Sequence, residues 1–128
     1  MTAIIIQARM GSTRLPGKIM KNLAGRTMLW HVVNRCLYSK TADRVIVATT
    51  TNEEDDAVEN FCEENNFLYY RGSSDNVLSR YYEAAKKFGA EIIVRVTSDC
   101  PLIDPAIIDK CVGAFQKSGA DYLIKFME

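Results

Sequence analysis

The sequence alternates between short apolar segments, which suit buried β-strands, and longer amphipathic segments, which suit helices. Apolar runs cover residues 3–7, 44–49 and 91–96, and a shorter run covers residues 67–70. Runs without polar alternation are typical of strands that are covered on both faces. Strands that alternate with helices indicate a parallel sheet. The sequence therefore predicts an α/β fold with a doubly wound, mostly parallel sheet, and a further strand at residues 121–126.

Helices are predicted between the strands, because apolar residues recur there at three- and four-residue spacing. The first covers residues 27–40, and a capping box at residues 51–54 predicts the start of the second. Ser74 or Asp75 is expected to cap the third helix, and Asp104, which precedes a proline, is expected to cap the fourth. The residues of the third helix predicted to face the core are Val77, Leu78, Tyr81, Tyr82, Ala85 and Phe88.

Composition places the chain among ordinary single-domain proteins. Its 128 residues, 48% apolar and 25% charged, allow one hydrophobic core, so we predict one domain over residues 1–128. No apolar run approaches the roughly 18 residues that cross a bilayer, and the N-terminus lacks the basic region of a signal peptide. We therefore expect a cytoplasmic protein with no membrane partner. The four cysteines form no CxxC pair and there is one histidine, so a structural zinc site is not expected.

Charge is distributed unevenly along a chain whose formal net charge is zero. A neutral chain has no overall positive field, so we expect no nucleic-acid partner. Residues 1–44, however, hold eight Lys or Arg and one acidic residue, whereas residues 45–70 hold seven acidic residues and no Lys or Arg. The excess of seven positive charges in residues 1–44 (eight minus one) predicts a local anion site.

The loop at residues 8–18 combines the residue types that bind phosphate. It holds two glycines, two hydroxyl side chains and three cations, with no acidic residue among them. Glycines let the backbone approach an anion, and successive N–H groups can surround it. Arginine offers a fork of donors to phosphate oxygens, and lysine acts as a point charge. A polyphosphate is the expected ligand, and the candidate ligating residues are Arg9, Gly11, Ser12, Thr13, Arg14 and Lys18.

This loop matches neither of two common phosphate-binding motifs. Five residues separate Gly11 from Gly17 where a P-loop has four, and Ile19 follows Lys18 where a P-loop has Ser or Thr. The GxGxxG fingerprint of dinucleotide sites is also absent. A solvated basic surface loop is the alternative interpretation, but the position directly after a buried strand favours a functional loop.

Asp99 lies in the short turn that begins at Thr97, just past the strand predicted at residues 91–96. Doubly wound folds bind ligands at the carboxyl ends of their strands, at the point where the strand order reverses. If the first and fourth strands are neighbours there, the loop at residues 8–18 faces the turn at residues 97–101. A carboxylate in that turn can hold Mg²⁺, which bridges nucleotide phosphates. The alternative is a turn or capping aspartate.

Two motifs resemble those of the sugar-nucleotide cytidylyltransferases, the synthetases that make CMP-activated 3-deoxy-octulosonate and CMP-acylneuraminate. The first is IIIQARMGSTRLPGK at residues 4–18, and the second is TSDCPLIDP at residues 97–105. The segments RVIVATT at residues 44–50 and RGSSDNVL at residues 71–78 also fit. The most similar subgroup is the spore-coat polysaccharide biosynthesis protein F type. The resemblance implies a Rossmann-like nucleotidyltransferase domain of the GT-A type.

The resemblance also implies a reaction, in which CTP and a sugar give a CMP-sugar and pyrophosphate with Mg²⁺ as cofactor, for surface-polysaccharide synthesis. Arg14, Lys18 and Asp99 would form the catalytic set. The implied roles are nucleotide approach for Ala8 and Arg9, triphosphate binding for Ser12, Arg14 and Lys18, base and ribose contacts for Arg71 and Ser98, and metal binding for Asp99.

The sequence departs from the family's pattern at three points. Thr97 and Ser98 stand where the octulosonate enzymes have Gln-Gly, and Cys100 replaces an acidic residue. The resemblance implies that family chains continue past residue 128 with a second metal carboxylate, most of the sugar pocket and a dimer-forming segment, so we expect a truncated N-terminal portion. A homodimer is the expected assembly. Two alternatives stay open: a GT-A glycosyltransferase, although Asp99 is not part of its usual DxD motif, and a nucleotide-binding fragment without catalytic activity.

Overall fold

A four-stranded parallel sheet forms the centre of the molecule. The computed structural model describes residues 1–11, 17–98 and 103–118. The strand predicted at residues 121–126 lies outside these ranges. The regular elements in chain order are β1 (Thr2–Gln7), β2 (Asn22–Leu23), β3 (Arg26–Thr27), α1 (Met28–Cys36), β4 (Arg44–Thr50), α2 (Asp56–Asn65), β5 (Leu68–Gly72), α3 (Val77–Phe88), β6 (Ile92–Thr97) and α4 (Pro105–Ser118).

The strand order is β5-β4-β1-β6, with every pair in this sheet parallel. The chain moves outward from β1 to β4 and β5 and then crosses back to place β6 on the other side of β1. The predicted neighbour relation of the first and fourth parallel strands is therefore confirmed. Gln7, at the carboxyl end of β1, pairs with Ala48 of β4 and with Thr97 of β6, so the segments that follow β1 and β6 start side by side.

Helices cover both faces of this sheet at β1 and β4, as the apolar runs predict, whereas Ile93 and Arg95 of β6 are exposed. Side chains alternate along β1, so Ile4 and Ile6 pack into one core with residues of α1, α2 and α4. Ala3 and Ile5 point to the opposite face and pack with residues of α3. All four side chains are fully buried, which is the reason for the continuous apolar run in β1. Within the described ranges, no helix has the length and hydropathy that a membrane crossing needs.

The first helix ends earlier than predicted, at Cys36 rather than at residue 40. The reason is a tertiary contact with Asp109 of α4. The backbone N–H groups of Lys40 and Thr41 donate to its carboxylate, and so do the hydroxyls of Ser39 and Thr41, at 2.5 Å and 2.6 Å. Burial alone raises the pKa of Asp109, but these hydrogen bonds outweigh burial and bring the pKa to about 2.

One of the three predicted helix caps is confirmed, and two are wrong. Asp104 caps α4 as predicted, because its Oδ1 accepts from the Ala106 N–H at 2.9 Å. No capping box forms at residues 51–54: the Asn52 side chain makes no cap bond, and a short 3₁₀ turn precedes α2. Asn76, not Ser74 or Asp75, caps α3 by accepting from the Ser79 N–H at 3.0 Å.

The predicted inner face of α3 is partly wrong. Leu78 and Tyr82 are 69% and 60% exposed, whereas the buried residues of α3 are Arg80, Tyr81, Ala84 and Ala85. The face of α3 that packs against the sheet therefore includes a cation, Arg80. An apolar pattern cannot predict this face, because it assigns a charged residue to the solvent side.

Candidate functional site

The carboxyl ends of β1 and β6 bring the first predicted site residues together. Ala8 follows β1 and Ser98 follows β6, at neighbouring positions of the sheet. The Ala8 N–H donates to the Ala48 carbonyl at 2.9 Å, and the Ala8 side chain is buried in the core. Ala8 can therefore approach a ligand only through its carbonyl group. Arg9 comes next in the chain and is exposed, and Ser98 is half-buried.

A pair of hydrogen bonds closes the base of the loop that follows β1. The Gly17 N–H donates to the Met10 carbonyl at 2.8 Å, so the two ends of the loop meet. Gly17 has a φ of 73°, a conformation that suits glycine. The Met10 N–H donates to Asp55 Oδ1 at 2.7 Å, which ties the same point to the start of α2. The loop thus leaves and re-enters the fold at one fixed place.

Ser12, Thr13 and Arg14 belong to residues 12–16, which lie outside the described residues, so their phosphate-binding roles stay predictions. Gly11 is half-buried, and a Cβ there would lie 2.5 Å from Glu54 Oε1. Glycine at this position therefore makes room for the carboxylate of Glu54, which lies against the loop backbone.

Lys18 opens the 3₁₀ turn Lys18–Met20 and is half-buried. The next residue, Ile19, is buried in the core beneath α1 and holds the turn in place. The Met28 N–H donates to the Lys21 carbonyl at 2.9 Å, which fixes the turn to the start of α1. Lys18 therefore stands on a rigid base beside the closed end of the loop, and it forms no ion pair with the described residues.

Asp55 is a site residue that the sequence analysis missed. Its side chain is fully buried and accepts hydrogen bonds from the Met10 N–H and from the Thr50 hydroxyl. It lies in an acidic run, residues 53–56, that is typical of an exposed helix N-terminus. No feature of this run distinguishes the inward residue from its exposed neighbours. In the fold, Asp55 positions the start of the loop.

Arg71 is bound to protein groups on the outer side of β5. Its Nη1 donates to Asp56 at 2.7 Å and Glu59 at 3.0 Å, while Nε and Nη2 donate to the carbonyls of Thr50 and Asn52, both at 2.8 Å. The hydrogen bond to Asp56, above all, raises the pKa of Arg71. Four of its five N–H groups are thus engaged in joining β5 to α2. Its predicted contact with the base or ribose stays a prediction.

The described residues contain no group of three or more His, Cys, Asp or Glu side chains that could hold a metal ion. Asp99, the predicted Mg²⁺ ligand, lies outside the described residues, directly after Ser98. Magnesium bound to a nucleotide commonly uses one or two protein carboxylates together with phosphates and water, and Asp99 as such a ligand stays a prediction.

Comparison with known proteins identifies relatives along almost the whole chain. A sequence profile of the family described as "Cytidylyltransferase" matches residues 3–127. The chain is 38% identical over 122 residues to the spore coat polysaccharide biosynthesis protein SpsF of Bacillus subtilis, a match that covers 92% of this chain and 51% of that protein. It is 37% identical over 116 residues to 3-deoxy-manno-octulosonate cytidylyltransferase of Geobacter sulfurreducens, covering 91% of this chain and 46% of that protein.

Solved structures show the same relationship. A cytidylyltransferase from Leptospira borgpetersenii has 44% sequence identity and a TM-score of 0.86, covering 91% of this chain and 49% of that one. CMP:2-keto-3-deoxy-manno-octonic acid synthetase complexed with CTP has 29% identity and a TM-score of 0.78, covering 93% of this chain and 48% of that one. The chain spans about half the length of the curated relatives it matches. With its parallel sheet and flanking helices, the chain belongs to the cytidylyltransferase family.

Proposed function

We propose that this chain is the nucleotide-binding portion of an enzyme that transfers CMP from CTP to an acidic or related sugar and releases pyrophosphate. We place the reaction in the cytoplasm, in the synthesis of cell-surface or spore-coat polysaccharide. The observation that carries the proposal is the loop after β1: its ends meet through the Gly17–Met10 hydrogen bond, and it starts where the end of β1 pairs with the end of β6. Family membership and the names of the relatives support the choice of CTP and of a sugar acceptor.

The reaction requires the protein mainly to position the two substrates and to supply positive charge near the phosphates. A sugar hydroxyl oxygen forms a bond to the α-phosphorus of CTP, loses its proton, and the bond to the bridging oxygen of the β-phosphate breaks, so that pyrophosphate leaves. Such a transfer is accelerated by in-line alignment and by fixed positive charge near the phosphates. In this proposal Ser12, Arg14 and Lys18 bind the triphosphate, and the loop backbone at Gly11 and Thr13 adds N–H donors.

The remaining roles follow from position. Ala8 and Arg9 lie at the carboxyl end of β1, where the nucleotide approaches the backbone, and Ser98 lies beside them at the end of β6. Asp99 would hold Mg²⁺, which supplies additional charge neutralisation at the phosphates when bound. An inactive nucleotide-binding portion is the second candidate, because the chain spans about half of its relatives.

The test is a nucleotide panel followed by an activity assay. Calorimetric titration with CTP, UTP, GTP and ATP, each with Mg²⁺, should give the tightest binding with CTP. Pyrophosphate release is then measured with CTP and 3-deoxy-octulosonate or acylneuraminate, with neutral hexoses as controls. Release with an acidic sugar supports the enzyme, and CTP binding without release supports the nucleotide-binding portion. Equal affinity for all four nucleotides, or no binding, would contradict the proposal.

A further inference from the structure

Arg80, on the inner face of α3, is a buried cation that forms no hydrogen bond with the described residues. The residue is 1% exposed, and Nε, Nη1 and Nη2 have no hydrogen-bond partner in the parts of the chain that the structure describes. Burying an unpaired charge is strongly unfavourable, and folded proteins rarely retain one unless it is used. The guanidinium therefore has no hydrogen-bonded anion among the described residues.

The surroundings of Arg80 make room for this side chain and hold it in place. A Cβ at position 72 would lie 2.9 Å from Arg80 Cγ, so Gly72 at the end of β5 admits the stem of the arginine. The next residue, Tyr81, is buried, and its hydroxyl donates to Gln7 Oε1 at 3.4 Å. The Arg95 guanidinium carbon lies 4.4 Å from the Tyr81 ring centroid. These contacts fix α3 against the carboxyl ends of β1 and β6.

The charges around Arg80 do not balance. Arg80 interacts electrostatically with Arg9 and with Asp55. Both Asp55 oxygens already accept hydrogen bonds, from Met10 and Thr50, and neither bonds to the guanidinium. Two positive charges and one negative charge leave an excess of one positive charge among these three described residues. Burial first, and the charge of Arg9 second, lower the pKa of Arg80, but a guanidinium remains charged at neutral pH.

We propose that Arg80 is the buried counter-charge for a phosphate group of the bound nucleotide, acting together with Arg9 at the carboxyl end of β1. This inference rests on the proposed function. Solvent does not reach the guanidinium, so Arg80 acts through its field across a water-poor region, where a charge interacts more strongly than it does in water. Arg80 is then a positioning residue that favours phosphate binding without direct contact with the phosphate.

The experiment compares Arg80→Met, Arg80→Lys and the control Arg44→Met, which removes an exposed cation at the amino end of β4. Each protein is titrated with CTP, CMP and cytidine in the presence of Mg²⁺, and its melting temperature is measured without ligand. We expect Arg80→Met to weaken CTP binding about tenfold or more and to leave cytidine binding unchanged. Arg80→Lys keeps the charge and should retain most of the affinity, and Arg44→Met should behave like wild type.

The melting temperature separates this role from a structural one. If the charge is unpaired without ligand, replacing it by an apolar side chain of similar length leaves the melting temperature unchanged or raises it. A clear fall in the melting temperature of Arg80→Met would mark a structural counter-charge and overturn the inference. Equal CTP affinity in wild type and Arg80→Met, or equal losses for CTP and cytidine, would also overturn it while leaving the proposed function intact. A wild-type chain that binds no CTP would overturn both.

Discussion

Replacing Asp55 by alanine should destabilise the protein far more than replacing its neighbour Asp56. Asp55 is fully buried and accepts two hydrogen bonds, from the Met10 N–H and the Thr50 hydroxyl. A hydrogen bond to a charged group contributes about 1.5 to 3 kcal/mol, so Asp55→Ala should lower the free energy of unfolding by about 3 to 6 kcal/mol. Asp56 is 59% exposed and pairs with Arg71, so Asp56→Ala should cost about 1 kcal/mol or less.

Urea unfolding measures both changes, provided that the m-values of the variants agree with that of wild type. Asp55→Asn serves as the intermediate case, because its amide oxygen can still accept from Met10 and its amide nitrogen can donate to the Thr50 oxygen. We expect it to lie between wild type and Asp55→Ala. Equal losses for Asp55→Ala and Asp56→Ala would refute the claim that a buried carboxylate anchors the loop.

Three further predictions concern Asp109 at the end of α1, Gly17 at the base of the loop, and the proposed ligands of phosphate and Mg²⁺. Asp109 has a pKa of about 2 in the fold, below its unfolded value, so its contribution is present above about pH 5 and is lost as the pH falls toward 2. After allowance for the partial exposure of Asp109, this contribution is about 1 to 2 kcal/mol. Asp109→Asn should therefore reduce the loss of unfolding free energy between about pH 5 and pH 2. An unchanged loss over this pH range would contradict the assignment. Gly17→Ala should cost about 1 kcal/mol in thermal unfolding, because Gly17 has a φ of 73°; a neutral result would show that the turn relaxes. Arg14→Ala should weaken CTP binding strongly, while Asp99→Asn should mainly remove its dependence on Mg²⁺, and unchanged titrations for both variants would reject these roles.

The arrangement of the sheet could be predicted from the sequence because burial on both faces leaves a direct signal. The apolar run in β1 and the helices between strands define a parallel sheet, and short right-handed connections limit the possible strand orders. The adjacent carboxyl ends of β1 and β6 follow from that order. The β2–β3 hairpin was not predicted, because its strands have two residues each and its turn places Ala24 at a φ of 53°.

The positions that the sequence could not predict are those decided by tertiary contacts of polar groups. Asp55 and Arg80 are charged residues that face inward, and a periodic pattern assigns such residues to the surface. The end of α1 depends on Asp109, about 70 residues away in the chain. Asn76 caps α3 although Ser74 and Asp75 are equally suitable capping types, so composition alone could not choose among them.

The central claim is that the closed loop after β1, beside the end of β6, binds the phosphates of CTP. Two-dimensional amide NMR during a titration tests it at individual residues. With Mg²⁺ and CTP, we predict that the amide signals of Met10, Gly11, Gly17 and Ser98 shift, whereas cytidine alone leaves the first three in place. If CTP shifts only signals of α4 or of the β2–β3 hairpin, or shifts none, the claim is contradicted.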